Sequence, residues 1–125
     1  MSVIRKEIEL VGSKGRAKVN SIFDSGATYS CIRPELAEEL GNLEPLPKLK
    51  QFITAKEGEK VSAKYAVRLD FYIDGLLFSD EFMVVEGLSR DVIIGSATMQ
   101  KWGMKLDFKK ERVILKPEVT ELMII

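Results

Sequence analysis

The sequence predicts an all-β, single-lobe closed barrel carrying one or two short helices, and three observations lead there. Tyr65, Val67, Leu69, Phe71 and Ile73 alternate with Lys64, Ala66, Arg68, Asp70 and Tyr72, the period of a strand with one buried face. Asp74-Gly75 follows, the strongest short hairpin signal, and opens a second β-rich run from Leu76 to Val85. Met104, Leu106 and Phe108 then alternate with Lys105, Asp107 and Lys109. A charged turn at Lys110-Glu111 leads from there into Val113-Ile114-Leu115.

The remaining elements follow in chain order. Ile4, Ile8 and Leu10 alternate loosely as a first strand, and Val19 to Phe23 reads as a second. Arg33 to Leu40 reads as a helix, with Pro34 in its first turn, acids near its start and Gly41 as a stop. Pro45 and Pro47 mark Gly41 to Lys48 as a loop. Strands from Lys48 to Ala55 and from Lys60 to Tyr65 flank an exposed hairpin tip, Lys56-Glu57-Gly58-Glu59. Ser96 to Trp102 reads as a second helix, opening on a capping residue and stopping at Gly103. Residues 1–117 are expected to form the domain and 118–125 a tail. The tail ends in Leu122-Met123-Ile124-Ile125, apolar residues expected to pack or to pair as a strand with a second chain.

Composition removes whole classes of function. Length fits one domain with a real core, and 46% hydrophobic with 30% charged residues fits a soluble globular protein. Nineteen basic residues balance nineteen acidic ones, which argues against nucleic acid or an anionic membrane as partner. With no histidine, neither a Ser-His or Cys-His nucleophile pair nor a His-ligated zinc site can be built. The single cysteine, Cys31, cannot form an internal disulfide and reads as a small core residue. No apolar run approaches a membrane span and the first residues lack a continuous apolar leader core, so a cytoplasmic location is expected. Any enzymatic chemistry falls to carboxylates, hydroxyls or lysines, and no metal or other cofactor is expected.

The informative stretch is Ile22-Phe23-Asp24-Ser25-Gly26-Ala27-Thr28, an apolar strand running into an acid and then a glycine turn. An acid there is expected to be partly buried. Burial raises a carboxyl pKa and backbone amide donors oppose the rise. Asp, Ser and Gly also gather at strand-end turns for purely local reasons, and on these four residues alone the two readings stand level. A second stretch, Asp91-Val92-Ile93-Ile94-Gly95, again runs from apolar strand into glycine, then a short helix ending at Trp102-Gly103 and a charged hairpin.

The two turns in this order, about seventy residues apart, resemble the retroviral-type (retropepsin-like) aspartic peptidases. The resemblance runs from about Val19 to Leu115, and from Ile93 onward it is similar to the cellular and prokaryotic members. It implies a barrel of the acid-protease type, closed over its site by a flap hairpin. Asp24 would be the catalytic carboxylate, and Ser25 would lock two active-site loops across a dimer axis. Gly26 would let the substrate backbone approach, and Ala27 would line the groove. Ile94 and Gly95, with Ile93, would pack behind the loop. Ala55, Lys56, Glu57, Gly58 and Glu59 would form the substrate-binding flap. Two departures stand out: Thr28 and Ser96 occupy places where viral members often carry an acid and an arginine that pair. The flap tip also has one glycine rather than a glycine-rich run.

An aspartic dyad needs two carboxylates within about 3 Å sharing one proton. Asp74, Asp80 and Asp107 lie in hairpin or alternating-strand contexts, and Asp91 precedes its strand rather than ending it. The second carboxylate is therefore expected to be Asp24 of another copy, in a C2 homodimer cleaving an extended peptide with mildly acidic preference. The competing expectation is an inactive module of the same fold that binds peptides or mediates dimerisation.

Overall fold

The computed structural model describes residues 3–53 and 60–121. The expected flap residues Ala55, Lys56, Glu57, Gly58 and Glu59, and the end of the tail, lie outside the described residues. Within them run nine strands and three short helices, and none of these helices is long and apolar enough to cross a membrane.

β1 (Val3–Val11) and β2 (Arg16–Asp24) form an antiparallel pair in continuous register, from Val3 opposite Asp24 to Val11 opposite Arg16. Ile4, Ile8 and Leu10 all point inward. β5 (Lys60–Ile73) and β6 (Leu76–Glu86) form the long hairpin, with Ile73 directly opposite Leu76. Asp74 and Gly75 both sit at positive φ (49° and 82°), the backbone of a two-residue turn whose twist matches the strands. Together with β3 (Cys31–Ile32) and β7 (Val92–Ile94) these strands close a six-stranded barrel, because β1 pairs with β5 at Glu9 to Val11. Val67, Leu69, Phe71, Ile73, Phe78 and Phe82 fill its interior, each at most 1% exposed. Burying one such side chain stabilises the fold by about 2–3 kcal/mol before entropy is counted.

Several expectations are corrected. Tyr65 keeps the register of the inward face, opposite Val84, but is 39% exposed rather than buried. The register shift between Ala63 and Tyr65 instead turns Ala63 to the outer face, where it joins Ala66 in a separate buried cluster. Residues expected as a loop belong to β4 (Glu44–Ile53), an edge strand that among the described residues pairs only with β5. Its prolines are tolerated because an edge strand can leave one side of its ladder unpaired, and pairing is irregular between Pro45 and Lys50.

The helix α1 (Pro34–Leu40) stops at Gly41 as expected, but for a different reason. Gly41 is extended rather than left-handed, and a Cβ there would stand 2.8 Å from Val67 Cγ2, so the glycine serves close packing. In α2 (Ser96–Lys101) the capping position is Gly95, not Ser96, while Gly103 at φ 66° does end the turn. A third helix, α3 (Pro117–Glu121), occupies the start of the expected tail, where Pro117 suits a first helical turn. β8 (Lys105–Asp107) and β9 (Arg112–Ile114) form a separate two-stranded sheet. Phe108, just past β8, is 44% exposed. Trp102 is buried edge-on against Phe78, and its indole N–H donates to the Ser79 carbonyl at 3.0 Å.

Candidate active site

Parallel pairing places the site. β2 and β7 run side by side in the same direction, with Phe23 opposite Ile94, so the residues that follow them leave the sheet at one end. The sequence makes both strand ends apolar, then places Asp24 after one and Gly95 after the other. Two segments about seventy residues apart therefore meet as neighbours.

Asp24 is half-buried at the end of β2. Its Oδ1 accepts the Gly26 N–H at 2.8 Å, and its carbonyl accepts the Ala27 N–H at 3.1 Å. The turn thus folds back on its own acid, and holds the carboxylate by a backbone donor while Ser25 and Gly26 stay exposed. Among the described residues the other aspartates are engaged elsewhere. Asp74 pairs with Lys6 at 3.2 Å, Asp91 with Arg33 at 2.7 Å and Asp107 with Arg112 at 3.5 Å. Asp80 accepts the Glu81 N–H at 2.8 Å.

The loop is clamped from behind by α2. Helices begin with unsatisfied N–H groups, and here Ser96 N–H donates to the Ala27 carbonyl at 2.6 Å and Ala97 N–H to Thr28 at 3.1 Å. As the sequence indicated, Thr28 and Ser96 provide no acid–arginine link, and these backbone bonds join the same two segments. Gly95 permits the approach: a Cβ on it would lie 2.7 Å from the Tyr29 carbonyl carbon and oxygen. Ile94 is fully buried beside Phe23, and Ile93 packs between Ile22 and Cys31.

Beneath the loop lies a polar pair that the sequence reading missed. Ser30 and Thr98, each 2% exposed, bring their hydroxyls to 2.6 Å, and Ser30 Oγ also accepts the Gly95 N–H at 3.0 Å. Buried hydroxyls are tolerated only when so satisfied. The available signal was Thr98's spacing of four from Trp102, which puts both on one helical face. Cys31 donates weakly to the Tyr29 carbonyl at 3.5 Å, and burial pushes its thiol up to about 11. Beside Ser25 a shallow cleft of about 200 Å³ opens between α2 and β8, with Ser96, Met99, Gln100, Leu106 and Phe108 in its walls.

A barrel with an Asp-Ser-Gly turn backed by a Gly-led helix defines the retropepsin-like class, and comparison with known proteins agrees. The retroviral protease-like domain of Ddi1 from Leishmania major superposes with a TM-score of 0.66 at 19% identity, covering 91% of this chain and 90% of that one. The EIAV protease, solved with the inhibitor HBY-793, gives 0.58 at 16% identity, covering 85% and 93%. The aspartyl protease family profile matches residues 10–98, which hold both the Asp24 turn and the Gly95 junction. The chain belongs to the aspartyl protease family.

Proposed function

We propose that the protein is a homodimeric aspartic endopeptidase in which Asp24 of two copies forms the catalytic dyad. The observation that supports this most is the Asp24 turn itself: an acid at a strand end, fixed by the Gly26 amide and backed by α2. Among the described residues no other acid stands in such a turn, so a second copy is the natural source of the second carboxylate. Two carboxylates about 3 Å apart share one proton, because both cannot ionise easily at that distance. One then draws a proton from a water that attacks the scissile carbonyl, while the other donates to the carbonyl oxygen.

The neighbouring residues take supporting roles. Ser25, exposed beside Asp24, locks the two loops across the axis, and Gly26 and Ala27 leave room for an extended peptide. Among the described residues no third strand joins the β8–β9 sheet, and its edges with the exposed Phe108 and Ile114 suit burial against a second copy.

The test compares wild type with Asp24→Asn on a mixed peptide library across pH. Cleavage by wild type, reduced at least about a thousandfold in the variant, is expected. Cleavage unaffected by Asp24→Asn would sink the dyad. A wild type that dimerises and binds peptides but cuts nothing at any pH would be an inactive module of this fold. Light scattering tests assembly separately: a monomer at high concentration is incompatible with the proposal.

A further inference from the structure

Four of the chain's six arginines lie against carboxylates. Arg16 meets Glu9 at 2.7 Å, Arg33 meets Asp91 at 2.7 Å, Arg68 meets Asp70 at 2.9 Å and Arg112 meets Asp107 at 3.5 Å. Among the described residues Arg5 and Arg90 have no such partner. These two, far apart in sequence, line one cleft of about 200 Å³.

The strand pairing brings them together. Arg5 on β1 stands opposite Ile22 on β2, and Ser21 beside it stands opposite Val92 on β7. The loop entering β7 therefore carries Ser89 and Arg90 to the wall that β1 and β2 form, where Asn20 and Ile22 complete the cleft. Among the described residues, none from β4 or from the acid turn lines it.

Like charges in one recess repel each other and focus a positive potential there. One carboxylate also lines the cleft, that of Asp91, but it already sits 2.7 Å from the Arg33 guanidinium. Glu7, two residues along β1 from Arg5, stays outside the lining and pairs with no cation among the described residues. Neither acid offsets the two guanidiniums.

The donors exceed what a carboxylate can use. Each guanidinium offers five N–H groups in a planar fork, and the Asn20 amide and Ser89 hydroxyl add more. A carboxylate presents two oxygens in one plane. A phosphoryl group presents three around a tetrahedral centre, so guanidiniums on separate walls can both grip it. The Ser21 hydroxyl is committed to the Lys6 carbonyl at 2.7 Å and Ile22 is buried, so the floor between the arginines is neutral.

We propose that the cleft between Arg5 and Arg90 binds the phosphoryl group of a phosphate monoester. The site stands apart from the endopeptidase reading: it needs neither the Asp24 dyad nor a second copy. A small ester and a phosphorylated side chain offer it the same dianion.

The experiment titrates the full chain with phenyl phosphate at constant ionic strength, following backbone amide and arginine Nε–H shifts by NMR. Phenyl phosphate is expected to bind about tenfold tighter than benzoate, with the largest shifts at residues 5, 20, 89 and 90. Arg5→Gln and Arg90→Gln each weaken binding about tenfold. Arg5→Lys and Arg90→Lys weaken it about threefold, because lysine keeps the charge and loses the fork. Both arginines are exposed, so thermal stability is expected to hold. Lys109→Gln, in the exposed turn between β8 and β9, leaves binding unchanged.

The site is overturned if benzoate binds as tightly, if both glutamine variants bind like wild type, or if Lys109→Gln weakens binding as much as they do. Should the variants not fold, wild-type shifts that spare residues 5 and 90 overturn it alone. A phosphoserine peptide and its unphosphorylated form separate the two sources. Tighter binding of the phosphopeptide than of phenyl phosphate assigns the dianion to a modified chain. Equal or weaker binding assigns it to a small ester, and either result keeps the site.

Discussion

The last turns of β6 have two sides with different contents. Phe82 and Val84 enter the barrel, where they join Phe71, Phe78 and Trp102 in a core spanning most of the described strands. Met83 and Val85, alternating with them, face outward into a second cluster with Ala63 and Ala66, under the edge strand β4. The first core is aromatic and closed by hydrogen-bonded strands all the way round. The second has four buried residues, two of them alanines, roofed by a strand with one partner among the described residues and irregular pairing. Ala63 and Ala66 let β4 come close but remove little surface from water. The barrel therefore acts as the rigid frame that fixes Asp24, and the β4 arm is held to it by a smaller buried cluster.

Adjacent substitutions test that contrast most directly. Phe82→Ala should destabilise the protein by about 4 kcal/mol in urea unfolding, and Met83→Ala by about 2 kcal/mol. Equal costs would mean that the outer cluster is as much a core as the inner one. Gly95→Ala should cost about 3 kcal/mol, because its Cβ would meet backbone, which cannot swing aside. Peptide cleavage should fall further than this loss of stability explains, since the acid loop must shift to relieve the clash.

What the sequence displayed and what it hid follow the same division. Val67 to Ile73 were legible because one face is buried and the other wet, the condition in which a period of two shows. Residues 82–85 are buried on both sides, so they read only as an apolar run. The bulge at Lys64, which puts Ala63 on the same outer face as Ala66, left no trace because it reverses the alternation without changing composition. Pro45 and Pro47 concealed β4, since proline in an edge strand has the same local signature as proline in a loop. Asp24 and Gly95 were visible because each ends an apolar strand. The Ser30–Thr98 contact joins residues 68 apart and has no local trace beyond helical spacing.

That contact gives the next prediction. Ser30→Ala leaves Thr98 Oγ1 and the Gly95 N–H without their partner, and should cost about 2 kcal/mol. Combining it with Thr98→Val should cost clearly less than the sum of the single changes, because the second change removes a group the first had orphaned. Additive costs in unfolding experiments would show that the two hydroxyls do not act as a unit.

Cys31 probes the outer cluster with the smallest effect. It is half-buried against Ala63, Ala66 and Met83, and burial raises its thiol from an ordinary value of 9.0 to about 11. A raised pKa means that the folded state holds the proton more tightly than the unfolded chain. The resulting stability is present in full below about pH 9 and is lost as pH rises through about 11. Wild type should therefore lose thermal stability across that window more steeply than Cys31→Ala. Alkylation gives the same test kinetically, since only the thiolate reacts. At pH 8 the folded protein should react with iodoacetamide many times more slowly than the same chain in urea. Equal rates would show that the β4 arm opens faster than it shields, and that the outer cluster excludes too little water to count as a second core.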